Sequence, residues 1–429
     1  MLKKLTIRNF KAIEDMTIEF TPLTVLIGEN GCGKTTILQA LDFLRSAASR
    51  DIPEYLREKD WDFSDLKSQL NNGGNKSIEF VSEFEFKNGS NIDNVTWFLF
   101  IDMKEGKYKT RELISINDKG IIAYSNIPLV NDTLVVPEIP NPFKTIKLES
   151  SLLKIMDMSS IDDYFIDNSF YGKEEYKTII QLKEFLLMSI NFDLLSPDKM
   201  RSGNKLLYAQ SIGTGGEVLN YCIHKMNDSE KEYLSKVVYS LFGSFVEILT
   251  FDRGNKVELL VKIKTDENTT AVETTHISDG LLRIIAFAVI SMKQETPTSE
   301  CVNLYVSEPD NEIYDKNDTH KKSVILLDEI ENGINPYITE KIIELFRDII
   351  KNQNRQVITT THSPVILNDF APGEIVFLWK DKRGSVHSRK FFDTEEMSKA
   401  LGFLNPGEIW ENFGKEKILE KLDVKPEYR

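Results

Sequence analysis

The sequence predicts an α/β fold with a mixed central sheet, an antiparallel β meander and an inserted helical region. Three observations lead there. A continuous apolar run, "LTVLIG", enters a glycine-rich loop and then the helical pattern "TTILQALDFLRSA". The alternating segments "SIEFVSEFEF", "VTWFLFIDM" and "ELISI" follow it. Far downstream, "SVILLDEI" and "RQVITTT" read as further apolar strands with a helix between them. Continuous apolar runs suit strands covered on both faces, whereas alternation suits a sheet with one solvated face.

Taken in order, "KLTIRNF" and "MTIEF" alternate and read as strands ahead of "LTVLIG". Residues 51–75 are polar and irregular, with "LNNGG" as a turn signal. Pro128, Pro137, Pro140 and Pro142 mark a linker over 126–145. The span from there to 245 is mostly helical, as in "EYKTIIQLKEFLLMSI" and "EYLSKVVYSLFGSF". Strands "FVEILTF" and "KVELLVKI" precede "HISDGLLRIIAFAVI", and a polar stretch over 294–322 separates that from "SVILLDEI". A hairpin around "KDKRGS" and a helical tail finish the chain. The expected organisation is an N-terminal lobe (1–128), a linker with the inserted helical region (129–245), a C-terminal lobe (246–393) and the tail (394–429).

The 429 residues, 41% hydrophobic and 28% charged, match an ordinary globular chain. A net charge of −14 argues against a surface coated for indiscriminate nucleic-acid binding. Lys3, Lys4, Arg8 and Lys11 form a small basic cluster that reads better as a solvated strand edge, with DNA contact left open. Cys32, Cys222 and Cys301 show no CxxC spacing, which fits a reducing cytosol. No run approaches the roughly 18 apolar residues of a membrane helix. "MLKKLTIRNF" lacks the apolar segment of a signal peptide. A cytoplasmic location without membrane contact is expected.

"GENGCGKT" matches G-x-x-x-x-G-K-[ST] at Gly28, Gly33, Lys34 and Thr35. Its glycines let several backbone N–H groups point at one phosphate chain, and the helix dipole adds attraction. Lys34 is expected on the β/γ-phosphates and Thr35 on Mg²⁺, while Glu29, Asn30, Gly31, Cys32 and Thr36 complete the cradle. "SVILLDEIENG" ends an apolar strand in Asp328 and Glu329, a costly pair unless a cation sits beside it. Asp328 suits Mg²⁺ and Glu329 suits polarising the attacking water. In "VITTTHSP", His362 follows another strand, placed to contact the γ-phosphate and that water. Ser278 has the character of an N-cap, Gly280 leaves the backbone accessible and Arg283 falls one turn on. A second anion site in a chain that already has Lys34 requires a reason.

The order P-loop, S-x-G-x-x-R, Asp–Glu, His resembles the ABC-type ATPases. "LTIRNFKAIEDMTIEFTPLTVLIGENGCGKTTIL", "HISDGLLRI", "ILLDEIENGINP" and "TTTHSPVIL" resemble their RecF/SMC/OLD branch in particular. Within it the chain looks like the stand-alone OLD-like ATPases of anti-phage systems such as Septu, PARIS and RloA-like modules. That resemblance implies an ABC/SMC-head-like fold and ATP sandwiched between two copies of the chain. Ser278 and Gly280 would then bind the γ-phosphate held by the partner's Lys34. It also implies a homodimer or larger assembly and a sensor or regulatory role in phage defence with a separate effector, a nuclease or toxin. A RecF/SMC-like repair or recombination ATPase is the alternative. Departures are Asn335 where many relatives have His, and Cys32 where Ser is common. The family's Mg²⁺-coordinating glutamine has Gln69 as its candidate, and Arg201 is open between structural and interfacial roles. OLD nucleases continue into a metal-binding Toprim domain, for which the residues after the histidine strand are too few.

Overall fold

The computed structural model describes the chain apart from residues 50–51, 71–76, 89, 105–106, 118, 126–145, 148–152, 154–172, 193–194, 204–211, 265–267, 293–321 and 429. The proline-marked linker, Cys301 and nearly all of the polar stretch over 294–322 therefore lie outside the described residues.

Three sheets are present among them. A seven-stranded sheet runs β2-β1-β4-β5-β6-β7-β8. Its strands are β1 (Leu2–Phe10), β2 (Ile13–Glu19), β4 (Ile78–Asn88), β5 (Asn91–Lys104), β6 (Lys107–Ile116), β7 (Lys119–Ser125) and β8 (Ile146–Lys147). From β2 to β7 every pairing is antiparallel, the expected meander. A central six-stranded sheet runs β16-β15-β3-β14-β13-β9. It comprises β3 (Leu23–Ile27), β9 (Ile190–Phe192), β13 (Val324–Leu327), β14 (Gln356–Thr360), β15 (Ile375–Lys380) and β16 (Val386–Lys390). Only β16 is antiparallel to its neighbour, so the sheet is mixed. A small antiparallel sheet holds β10 (Phe245–Asp252), β11 (Val257–Lys264) and β12 (Thr269–Glu273).

The central sheet is buried on both faces, and its two-residue period sorts side chains between two cores. On one face, Leu26, Val324, Leu326, Ile358, Val376 and Leu378 join the core under the meander and the helix Lys34–Ala47. On the other, Val25, Ile27, Ile325, Leu327, Val357 and Phe377 pack with the helix Asp279–Ser291. Beyond its first turn that helix is apolar apart from Arg283 and Ser291, and every residue from Leu281 to Ser291 is buried.

The span expected to be linker and helices also supplies strand β9, which pairs in parallel with β13 at the sheet edge. Its helix Lys173–Leu187 adds Ile179, Leu182 and Phe185 to the first core. Strand β3, from the N-terminal lobe, lies between β14 and β15 of the C-terminal one. The lobes thus share one sheet.

Within the first core, the P-loop helix is tied to the helix Ile52–Lys59 through Asp42, which takes Arg45, Lys59 and the Tyr55 hydroxyl. Burial alone would raise the Asp42 carboxyl, but Arg45 and Lys59 hold it below the usual range.

Gln356 ties the meander to the central sheet. Its Oε1 accepts from Leu2 N at 3.1 Å, and its Nε2 donates to Leu2 O and to Thr21 O at 2.9 Å each. It is 2% exposed, so no water substitutes for it. Gln356→Leu keeps the shape but orphans those groups. Denaturant unfolding of this variant is expected to show a loss of about 1–3 kcal/mol.

Candidate functional site

Strands β3, β14 and β13 are parallel neighbours, so their C-terminal ends open on one edge of the sheet. That edge is where α/β sheets bind ligands. The P-loop follows β3, Asp328 and Glu329 follow β13, and Thr361 and His362 follow β14.

Each loop residue has a local reason for its place. Gly28 sits at φ 144°, and a Cβ there would come within 2.2 Å of Leu378 O, so only glycine fits the turn out of β3. Lys34 opens the helix and is buried, its ammonium donating to Gly28 O at 2.8 Å and Glu29 O at 3.1 Å. Burial lowers its pKa, opposed by Cys32, Asp328 and Glu329. The Cys32 thiol lies 3.8 Å from that ammonium. Burial raises its pKa against the pull of Lys34, which keeps a 3% exposed thiol in its unreactive neutral form. Glu29, Asn30 and Gly31 are exposed at the tip, and Thr36 is half-buried in the first helical turn.

The Asp328 carboxylate accepts from Thr35 Oγ1 at 3.0 Å and from Thr360 Oγ1 at 2.5 Å. One carboxylate beside a hydroxyl, open to phosphate and water oxygens, is a donor set that fits Mg²⁺. Glu329 adopts φ 49°, a left-handed conformation for a non-glycine residue, with its N–H held by Thr360 Oγ1 at 2.8 Å. Its carboxylate is 41% exposed and lies 3.7 Å from His362 Nε2. The sequence reading missed two residues here. Thr360 braces both Asp328 and Glu329. Glu331 accepts from Thr361 Oγ1 at 2.9 Å and from His362 N at 2.6 Å, which fixes the backbone carrying the histidine. The threonine run ahead of His362 and the second acid of "DEIENG" were the available signals.

The structure thus brings together Lys34, Thr35, Asp328, Glu329 and His362. Ser278 and Gly280 make no described hydrogen bond to these five residues. Ser278 caps the helix Asp279–Ser291 by accepting from Leu281 N, and a Cβ on Gly280 would meet only Gly333 O. Arg201 braces this entry, donating to Ile277 O at 2.8 Å and to Asp279 Oδ1 at 2.5 Å. Among the described residues, no hydrogen bond joins Ser278 or Gly280 to the P-loop of the same chain. Gln69 is exposed, and no described hydrogen bond joins it to Thr35 or Asp328. Its neighbour Ser68 pairs with Asn9 O, and Leu70 lies beside Gly384.

The basic cluster is neutralised across the strands. Lys3 pairs with Glu85, Lys4 with Glu83, and Arg8 with Asp15 and Glu79. Lys11 lies 3.3 Å from the Trp61 ring centre and donates to Gln39. No helix of the described residues is long and apolar enough to cross a membrane.

Two family models match the chain. Residues 4–189 match "AAA domain" and residues 213–368 match "AAA domain, putative AbiEii toxin, Type IV TA system". An OLD nuclease of Thermus scotoductus is 50% identical over 44 residues, 10% of this chain and 8% of that protein. The DNA replication and repair protein RecF of Azobacteroides pseudotrichonymphae is 26% identical over 221 residues, 51% of this chain and 52% of that protein. The match therefore spans only a small part of the first of these relatives and about half of the second. The "Retron Ec83 probable ATPase" of Escherichia coli is 23% identical over 412 residues, 84% of this chain and 68% of that protein. Among solved structures, an SMC head bound to the C-winged helix domain of ScpA is similar, with a TM-score of 0.49 and 14% identity. That likeness covers 90% of this chain and 96% of that one. The two AAA models, which between them reach from the first strand past the histidine, and these relatives place the chain in a known family: it belongs to the AAA/ABC-type ATPases of the RecF/SMC/OLD branch.

Proposed function

We propose that this chain hydrolyses Mg²⁺-ATP as a homodimer with two shared sites, and serves as the regulatory ATPase of an anti-phage module whose effector is a separate protein. One observation carries the dimer reading. The chain holds two half-sites: the cluster around Lys34 on the sheet edge, and the Ser278–Gly280 helix entry, which no described hydrogen bond joins to it. A second copy would supply the missing half to each.

Lys34 and the loop N–H groups would take the β/γ-phosphates, the ammonium exchanging its carbonyl partners for phosphate oxygens. Thr35 and Asp328 would hold Mg²⁺, which neutralises charge on the phosphates during transfer. Glu329 would accept the proton of the attacking water, whose oxygen forms the new bond to the γ-phosphorus as the bond to ADP breaks. His362, oriented by Glu331 through its backbone, would contact the γ-phosphate. Ser278 and the N–H groups of the partner's first helical turn would close over that phosphate. Each nucleotide then bridges two chains, and hydrolysis removes the bridge.

The defence reading is supported by the retron ATPase, the one of these relatives matched along most of this chain. The repair reading is supported by RecF, over half of it. The cross-strand neutralisation of Lys3, Lys4 and Arg8 weighs against a DNA surface on strand β1, which is paired on both sides. Purification of the native chain is expected to bring a nuclease or toxin with it; stoichiometric ATP-dependent DNA binding without such a protein would favour repair.

Glu329→Gln is expected to lower turnover roughly 10²–10⁴-fold and to accumulate ATP-bound dimers in size-exclusion chromatography. Unchanged turnover would remove Glu329 from the base role. Ser278→Arg and Lys34→Ala are each expected to be inactive alone, and their mixture to regain one working site per heterodimer in a phosphate-release assay. No recovery at any mixing ratio would rule out shared sites.

A further inference from the structure

The hairpin of β15 and β16 touches the P-loop with one face and the turn Pro426–Tyr428 with the other. Its two-residue period divides it. Leu378 and Val386 enter the first core, while Trp379 enters the second and pairs across the strands with His387. On the first face the hairpin meets both ends of the P-loop. The Leu378 carbonyl closes the space over Gly28, and a Cβ on Gly33 would come within 2.8 Å of both Val386 methyl carbons. Val386 N also donates to Ala12 O at 3.2 Å. Gly33, at φ 102°, is the residue from which the P-loop helix starts.

On the second face the turn is docked. Trp379 Nε1 donates to Tyr428 O at 2.7 Å, and the rings of Tyr428 and His387 meet edge to face, 5.4 Å between centres. His387 stacks on Trp379 at 5.6 Å and pairs with the Asp381 carboxylate at 3.0 Å. Asp381 accepts from Arg383 N at 2.8 Å and Ser385 N at 3.0 Å, which closes the hairpin. Lys415 Nζ donates to Lys380 O at 2.8 Å, and Arg389 donates to Leu422 O, so the preceding helix is tied to the same two strands. Trp379 and Val386 are buried, whereas Tyr428 is 42% exposed. The turn is therefore the member that another molecule can reach.

We propose that Trp379 and Tyr428 are positioning residues for the P-loop: the docked turn holds the hairpin against Gly28 and Gly33 and so sets the affinity for nucleotide. This rests on the reading of the P-loop as the phosphate cradle. Backbone N–H groups bind phosphate well only when their directions are fixed in advance. A hairpin free to leave Gly28 and Gly33 keeps the loop in its binding geometry for a smaller fraction of the time, and apparent affinity falls by that fraction. Glu329 and His362 follow other strands, β13 and β14, so the effect falls on binding rather than on the chemical step. A protein that draws the turn away would lower nucleotide affinity without touching the site.

Titration calorimetry of full-chain variants with Mg²⁺-ADP tests this. Trp379→Phe, which keeps a ring but loses the donor, and Tyr428→Ala are each expected to raise Kd about 3- to 10-fold. Binding stoichiometry is expected to stay unchanged, and kcat at saturating ATP to stay within about twofold of wild type. Tyr428→Phe keeps both the ring and the carbonyl and is expected to bind as wild type. Val386→Ala is expected to weaken binding in its own right, and adding Tyr428→Ala to cost little more, because both act through the hairpin. A wild-type Kd in both Trp379→Phe and Tyr428→Ala would overturn the proposal. So would losses that multiply in the double variant, or a fall in stoichiometry at unchanged Kd, which marks unfolded chain rather than a looser loop. Equal ADP binding by wild type and Lys34→Ala would instead overturn the P-loop reading, whatever these variants do.

Discussion

The carboxylate of Asp328, bridged to Thr35 on one side and Thr360 on the other, is the contact on which the site depends. It can form only because β3, β14 and β13 lie side by side in parallel, with Leu26 opposite Thr360 and Leu327 opposite Thr359. A slip of one residue in either pairing would turn Leu326 and Leu327, or Val357 and Ile358, toward the wrong core. The two cores therefore do more than stabilise the sheet. By fixing its register, they bring together the loop ends that carry Lys34, Glu329 and His362.

Glu329 shows what that placement costs. A left-handed conformation in a non-glycine residue costs on the order of 1–3 kcal/mol and persists only where neighbours over-determine it. Here the Thr360 hydroxyl takes its N–H, and Asn332 and His362 flank its carboxylate. The turn re-aims the side chain away from the direction an extended strand residue would take. Replacing the residue with glycine would relieve the backbone and remove the group that the backbone is bent to present.

Much of this was legible in the sequence because it is local. The apolar run into "GENGCGKT", the strand ending in Asp–Glu and the strand ending before His362 each carry their signal within a few residues. What was not legible depends on pairing across long separations. Strand β9 is too short to show a period and follows a strong helix, so its place beside β13 exists only in three dimensions. Strand β12, "TTAVE", is polar and mostly exposed, without the apolar alternation that marks a strand. Arg201 was ambiguous because its partners, Ile277 and Asp279, are remote in the chain. The basic N-terminal cluster had the same difficulty, since Glu79, Glu83 and Glu85 become its partners only through the register of β1 on β4.

The two half-sites differ in what the fold leaves free. At the sheet edge the groups converge: the Asp328 carboxylate already has protein donors, and the Lys34 ammonium already has carbonyl partners. The helix Asp279–Ser291 is buried along its length, so its entry is the part left to meet another molecule. There the Ser278 hydroxyl caps Leu281 N, Arg201 fixes Ile277 and Asp279, and Gly280 adds no side chain over the first-turn N–H groups. Arg283, one turn further along the helix, ties it to the loop that follows Glu329. On the shared-site reading proposed above, a helix end built this way would serve a phosphate brought to it by another subunit, and the unit of catalysis would be the pair.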